Sequence, residues 1–363
     1  MQQNKRYYFI DIIESLAMLM VILCHCETYS YDIVNHRDFL TYIAYYSRAI
    51  LSTAVPLFFL ANGYLLFSRP MNIKKHMKKT LRLVFLSVIW SIIVVAGTMI
   101  IRQEPLSPKN FVLTILYQKD GWLSFIWYIG ALVSMYIFFP ALKFAYDNSK
   151  RYFMAFTFIC FLLTFGIKFA EDIIAVISIL IGREPFLLDF EFIQLFNPFS
   201  TGNQYTFVYF CLGGLIFHYQ NKIITVFRNK RITLLFFVFL LSVGIQVAKS
   251  SLFSLYYNQL YGVIVNGYKA LFNLIASLSL FIIIMRLNYD RTHNGKIITL
   301  ISKNTLGIYF MHELVLRITL PYVKQFFFFT NIIGNIVYGI IVLLICLCIC
   351  LLLRKIPVLR KIL

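Results

Sequence analysis

The chain has 363 residues, of which 60% are apolar, 18% aromatic and only 13% charged, and its mean hydropathy is +0.77. Average soluble domains hold about 25% charged residues, so this composition excludes an ordinary water-soluble protein and makes the bilayer the natural solvent. The net charge of +19, from 34 Lys and Arg against 15 Asp and Glu, is gathered in clusters between apolar segments. That placement reads as a membrane-topology signal rather than a nucleic-acid surface.

A hydrocarbon core of about 30 Å needs about 20 helical residues. Ten segments meet this in chain order, at roughly 7–28, 47–67, 82–101, 124–142, 152–170, 205–221, 232–250, 266–286, 300–320 and 332–353. The expected fold is therefore all-α: a polytopic membrane bundle of about ten transmembrane helices, forming a single domain over 1–363 with no separate soluble domain. The first segment holds Asp11 and Glu14 and lacks a small-residue cleavage site before Tyr29, so it reads as a permanent helix rather than a signal peptide. With the N-terminus inside, 23 of the basic residues fall on the inner side and 11 on the outer, while 11 of the 15 carboxylates fall outside. This asymmetry predicts both termini in the cytoplasm, in a multi-pass protein of a cell membrane. The longest outer connection is expected over 171–204; its apolar stretch Ile173 to Ile181 is too short to span and reads as an amphipathic or re-entrant piece, or as a lid.

Seven cysteines, an odd number, lie in or beside apolar segments and do not resemble a secreted disulfide framework. Cys24, His25 and Cys26 are successive helix positions about 100° apart and cannot converge on one ion; no metal is expected.

Ionisable residues within a span usually face the bundle interior or a water-filled cavity. On the first helix Asp11, Glu14 and His25 share a face, with Glu14 and His25 separated by about 16 Å along the axis. The ninth segment carries Asn304, Thr305, Tyr309, His312, Glu313 and Arg317, and the second carries Arg48 and Asn62 beside Pro56. Arg48 can pair with Glu27 or polarise a carbonyl. Trp122, Trp127 and Tyr128 fall where an interfacial aromatic belt is expected, and a ring there can also stack on a sugar. Lys74, Lys75, Lys78, Lys79 and Arg82 make a basic inner loop that enforces topology and can also attract phosphates.

Six stretches carry a family resemblance. Asp11 through Glu14 to His25 resembles the opening helix of the bacterial acyltransferase-three membrane family, whose pattern is an Asp, an Arg a few residues on and a His ten residues after that. Val55–Tyr64 resembles its second helix, and Lys79-Thr-Leu-Arg82 stands where members have two Arg three apart. Phe125–Leu132 with Pro140, Ser302–His312, and the terminal Arg354–Arg360 complete the series. Glu14 occupies the family's Arg position, which reverses the charge there, and Lys79 replaces a guanidinium fork by a point charge.

The resemblance implies an O-acyltransferase that moves an acyl group, acetyl as the first candidate, from cytoplasmic acyl-coenzyme A to a hydroxyl of an envelope polysaccharide or lipid-linked sugar, in the bacterial cytoplasmic membrane. It implies acyl-coenzyme A as a donor substrate and no permanently bound cofactor. In this reading His25 is the general base, with Glu14 and Asp11 on the same catalytic face. Lys78, Lys79 and Arg82 bind the donor, and Arg48, Asn62, Trp127, Tyr309, His312 and Glu313 line the acceptor site or passage. The partners are donor, acceptor and membrane lipid, with no nucleic acid. Two other readings fit the same residues: a transporter or flippase for a glycan or lipid-linked precursor, and an inactive relative of the family.

Overall fold

The structure is a computed structural model that describes residues 6–26, 28–116, 118, 121–185, 204–227, 231–264, 266–288, 295–357 and 359–362. Those residues contain no strand. The helices are α1 (Tyr8–Cys26), α2 (Phe39–Leu51), α3 (Ala54–Phe67), α4 (Ile73–Arg102), α5 (Pro108–Ile115), α6 (Trp127–Asn148), α7 (Lys150–Phe161), α8 (Ile167–Leu180), α9 (Gln204–His218), α10 (Gln220–Val226), α11 (Arg231–Tyr256), α12 (Leu271–Asn288), α13 (Lys296–Val323) and α14 (Ile332–Lys355). A 3₁₀ turn, Gly121–Ile126, leads into α6, and a π turn, Leu162–Gly166, joins α7 to α8.

Helices stand at all ten expected places, and eight stretches among the described residues are long and apolar enough to cross a membrane. Exposed apolar stripes confirm the solvent they face: Leu81, Phe85, Val88 and Ile92 recur at helical spacing on the outer surface of α4, as do Ile333, Ile336, Ile340 and Leu344 on α14. The protein is a multi-pass all-α membrane protein. The remaining two places differ for separate reasons. α9 has 15 residues, about 22 Å of helix, short of the hydrocarbon thickness. α13 has 28 residues but carries the polar series from Asn304 to Arg317.

The outer connection begins later than expected. Residues Lys150–Leu180 form one 31-residue helical stretch, so 171–180 is helix rather than loop, while 186–203 lies outside the described residues. The cause is charge pairing. Lys168 bridges Glu171 at 3.2 Å and Asp172 at 3.1 Å, and Lys249 of α11 reaches the other oxygen of Asp172 at 2.6 Å. Charges that break an apolar run in the sequence neutralise one another in the fold, and the helix continues.

The chain divides into two compact units. The first comprises Met1–Ala17, Ser30–Pro70 and Leu142–Asn294. Its tightest crossing is α3 on α9, where glycines on both helices permit backbone contact. A Cβ at Gly63 would collide with the Phe210 carbonyl, and one at Gly213 with the Leu60 carbonyl. The break between α2 and α3 has a cause in Pro56. Proline has no N–H, so the carbonyl of Ser52, four residues back, loses its helical donor. Asn273 of α12 supplies a replacement, its Nδ2 donating to Ser52 O at 3.1 Å, while Ser52 Oγ donates to Asn273 Oδ1 at 2.8 Å.

The second unit comprises Met18–Tyr29, Met71–Ala141 and Gly295–Leu363. Here α13 packs on α14 and α4, with Trp90 and Phe310 stacked in parallel at 5.6 Å. A Cβ at Gly97 would stand 2.9 Å from Leu314, and Gly339 of α14 accommodates Leu23 in the second half of α1. Asn335 Nδ2 donates to Thr28 Oγ1 at 2.7 Å just beyond the end of α1. These contacts fix the turn of α1 that carries His25. The proline logic recurs in α6, where Pro140 deprives the Tyr136 carbonyl of its donor and His76 Nε2 on α4 donates to it at 2.7 Å.

Candidate active site

The second unit gathers four of the expected site residues, His25, Tyr309, His312 and Glu313, and Arg317 completes the group. On α13, Tyr309, His312, Glu313 and Arg317 follow one another at intervals of three, one and four residues, so they lie on one side of the helix. His25 Nδ1 stands 3.9 Å from Glu313 Oε2, and the rings of His25 and His312 lie 5.4 Å apart. Arg317 holds the other carboxylate oxygen twice over: Nε and Nη2 donate to Glu313 Oε1 at 3.0 and 2.9 Å. The two oxygens of Glu313 therefore have separate tasks, Oε1 anchored on the guanidinium and Oε2 turned toward the imidazole.

Arg317 is itself fixed. Its Nη1 donates to Thr98 Oγ1 of α4, and its Nη2 donates to the Trp122 carbonyl at 2.6 Å. The Gly121–Ile126 turn makes this possible. Leu123 at φ −111° and ψ 17° departs from helical geometry, and carbonyls of this turn accept from side chains: Trp122 O from Arg317, and Phe125 O from the Tyr309 hydroxyl. Phe125 also meets the His312 ring edge-on at 5.5 Å. His312 is fully buried, while the side chains of Glu313 and Arg317 are 17% and 12% exposed and that of His25 37%. The group thus has a dry interior and one wetter edge, at His25.

The other expected residues take these places. Asp11 is buried in the first unit, with Arg6 Nε donating to Oδ2 at 2.8 Å and Nη2 to Oδ1 at 2.7 Å. Both of its oxygens thereby engage one guanidinium, an anchoring arrangement at the start of α1. Glu14 is half-buried in the same unit. Arg48 is buried there too, 4.8 Å over the Tyr31 ring, and its expected partner Glu27 lies outside the described residues. Asn62 donates to its own helix at Phe58 O, 2.9 Å. Trp127 is half-buried against Tyr128. Trp122 departs from the belt expected of it: it is buried at 7%, with Arg102 5.7 Å over its ring and its carbonyl on Arg317. At the start of α4, Lys78, Lys79 and Arg82 are exposed, and Lys79 Nζ rests 3.4 Å from the Tyr136 hydroxyl and 5.2 Å from that ring's centre.

Nothing in the sequence marks the contacts made by Thr98, the Trp122 carbonyl, Tyr136 or His76. One signal was visible: Glu313 and Arg317 stand at i and i+4, a spacing that pairs opposite charges on a helix.

Chemically, an imidazole with a carboxylate at its Nδ1 edge is suited to taking and returning a proton, because the carboxylate stabilises the cation formed in between. No group of three or more His, Cys, Asp or Glu among the described residues has metal-ligating geometry.

Comparison with known proteins identifies the family. The acyltransferase-three family, described as an acyltransferase domain, matches residues 7–355, nearly the whole chain, and the chain belongs to it. No curated protein and no solved structure matches.

Proposed function

We propose that this member of the acyltransferase-three family is a membrane O-acyltransferase carrying an acyl group, acetyl as the first candidate, from cytoplasmic acyl-coenzyme A to a hydroxyl of an envelope polysaccharide or lipid-linked sugar. The observation that supports it most directly is the alignment of His25, Glu313 and Arg317. The acceptor hydroxyl gives its proton to Nε2 of His25 as its oxygen attacks the thioester carbonyl. The C–O bond forms and the C–S bond breaks. The departing thiolate takes the proton back from the imidazolium, so the base is restored and no co-reactant is needed. Glu313 Oε2, beside Nδ1, offsets the positive charge held by His25 between those two transfers.

In this reading the exposed basic start of α4 meets the donor's phosphates. Lys79 is aligned for that role by the Tyr136 hydroxyl, and Tyr136 is tied to α4 through His76. Because Glu14 stands where the family has Arg, the donor's anionic part falls to Lys78, Lys79 and Arg82. In this reading this end of α4 and both termini lie on the cytoplasmic side, a placement that the distribution of basic residues supports, in the cell membrane of a bacterium.

The test is acyl transfer or thioester hydrolysis from radiolabelled acetyl-coenzyme A by purified protein in nanodiscs. The expected result is consumption by the wild type and a loss of two or more orders of magnitude in both His25→Ala and His25→Gln, since general-base assistance contributes about 10²- to 10⁴-fold. Consumption no faster than in protein-free controls would put the transporter reading ahead. Near-normal transfer by folded His25→Gln would refute the acid–base mechanism.

A further inference from the structure

We propose that His312 is a specificity-determining residue that binds a second hydroxyl of the acceptor, so that the preferred substrates of this site carry two hydroxyls on neighbouring carbons. The inference rests on the acyl-transfer reading, with His25 as base, and narrows its acceptor class.

The tautomer of His312 is fixed by its neighbour. His312 Nδ1 lies against the Tyr309 carbonyl one helical turn back. A carbonyl only accepts, so Nδ1 carries the proton and donates it, and Nε2 of the neutral ring presents a lone pair. That nitrogen is buried and has no hydrogen-bond partner. A buried acceptor lacking a donor is unfavourable, and a leucine of similar size would fill the position without that defect. Nearby groups do not supply the donor: Phe125 presents its ring, the Tyr309 hydroxyl is engaged with Phe125 O, and Arg317 is directed to Glu313, Thr98 and Trp122. The geometry points to a donor that arrives with a ligand.

The ligand's chemistry follows from counting protons. The attacking hydroxyl has one, and it goes to His25. His312 therefore needs another donor on the same molecule, placed close to the first, because the two imidazoles are only 5.4 Å apart. A neighbouring hydroxyl fits this requirement, with its oxygen held at Nε2 while the reacting oxygen sits at His25. Two bases at one hydroxyl would compete for a single proton; two at a diol cooperate. His312, fully buried beside Arg317 and His25, acts as a neutral acceptor and takes no part in the proton transfer.

The experiment compares 1,2-propanediol with 1-propanol as surrogate acceptors for radiolabelled acetyl-coenzyme A, using wild type, His312→Leu and His312→Gln in nanodiscs. The wild type should prefer the diol by about tenfold in kcat/KM, the discrimination expected of one neutral hydrogen bond. His312→Leu should erase the preference with the KM for acetyl-coenzyme A unchanged, and His312→Gln, whose amide oxygen can replace the lone pair, should recover part of it. Equal transfer to both alcohols by the wild type overturns the inference, as does a preference that survives in the Leu variant. If the Leu variant does not fold, His312→Ala takes its place and must likewise erase the preference. A wild type that leaves the thioester intact in every reaction refutes the acyl-transfer reading itself, and this inference with it.

Discussion

Replacing Glu313 by Gln removes the charge beside His25 while keeping the side chain's size and an oxygen for Arg317. At 3.9 Å, a carboxylate and an imidazolium attract by about 4 kcal/mol at an effective dielectric of about 20. Two features reduce this: Arg317 places an opposing charge on Oε1, and the His25 side chain is 37% exposed to screening. If about half survives, the transition state loses about 2 kcal/mol, a fall of about 30-fold in kcat. The KM for acetyl-coenzyme A should be unchanged, because in the proposed mechanism Glu313 acts on the charge that develops during reaction. Stability needs its own measurement, since Arg317 is left without its counter-charge, and breaking a buried pair costs about 3–5 kcal/mol. The double variant Glu313→Gln/Arg317→Met removes both charges; thermal unfolding should show much of the lost stability regained while kcat stays low. The assay is turnover of radiolabelled acetyl-coenzyme A at saturating donor. A folded Glu313→Gln protein whose kcat stays within about threefold of wild type would show that the carboxylate does not support the base.

Neutralising Lys79 and Arg82 together should weaken coenzyme A binding and flatten its dependence on salt, because fixed-charge contacts to phosphate are screened as ionic strength rises; unchanged affinity in titration calorimetry, with expression maintained, would leave topology as their only role. Gly213→Ala should destabilise the first unit by about 1–3 kcal/mol or more, since the added Cβ meets the Leu60 backbone rather than a mobile side chain; an unshifted unfolding midpoint would mean that α3 and α9 can separate without cost. Cysteines introduced at Lys5 and Glu184 should be shielded and labelled, respectively, by an impermeant reagent on intact cells, and the opposite pattern would invert the sides assigned to donor and acceptor.

Much of this protein is written into one-dimensional properties of its chain. Charge depletion and apolar runs of helical length specify an all-α membrane protein, and helices formed at all ten expected places, because burying backbone polar groups in lipid leaves the helix as the solution for such segments. His25, His312 and Glu313 were singled out by sequence for the same reason: an ionisable group inside an apolar run is too costly to be incidental. Their connection could not be read there. Residues 25 and 313 are far apart in the chain, and their 3.9 Å approach depends on helix packing, with Leu23 seated at Gly339 and Asn335 bonded to Thr28. Hydropathy also misplaced the end of the Lys150–Leu180 stretch. A residue-by-residue scale counts Lys168, Glu171 and Asp172 as three separate costs, whereas the fold brings Lys249 to Asp172 and makes them a neutralised cluster. The sequence determined which groups must be buried; the tertiary structure decided which of them meet, because the sign of a buried charge's contribution is set by its partner and not by its own identity.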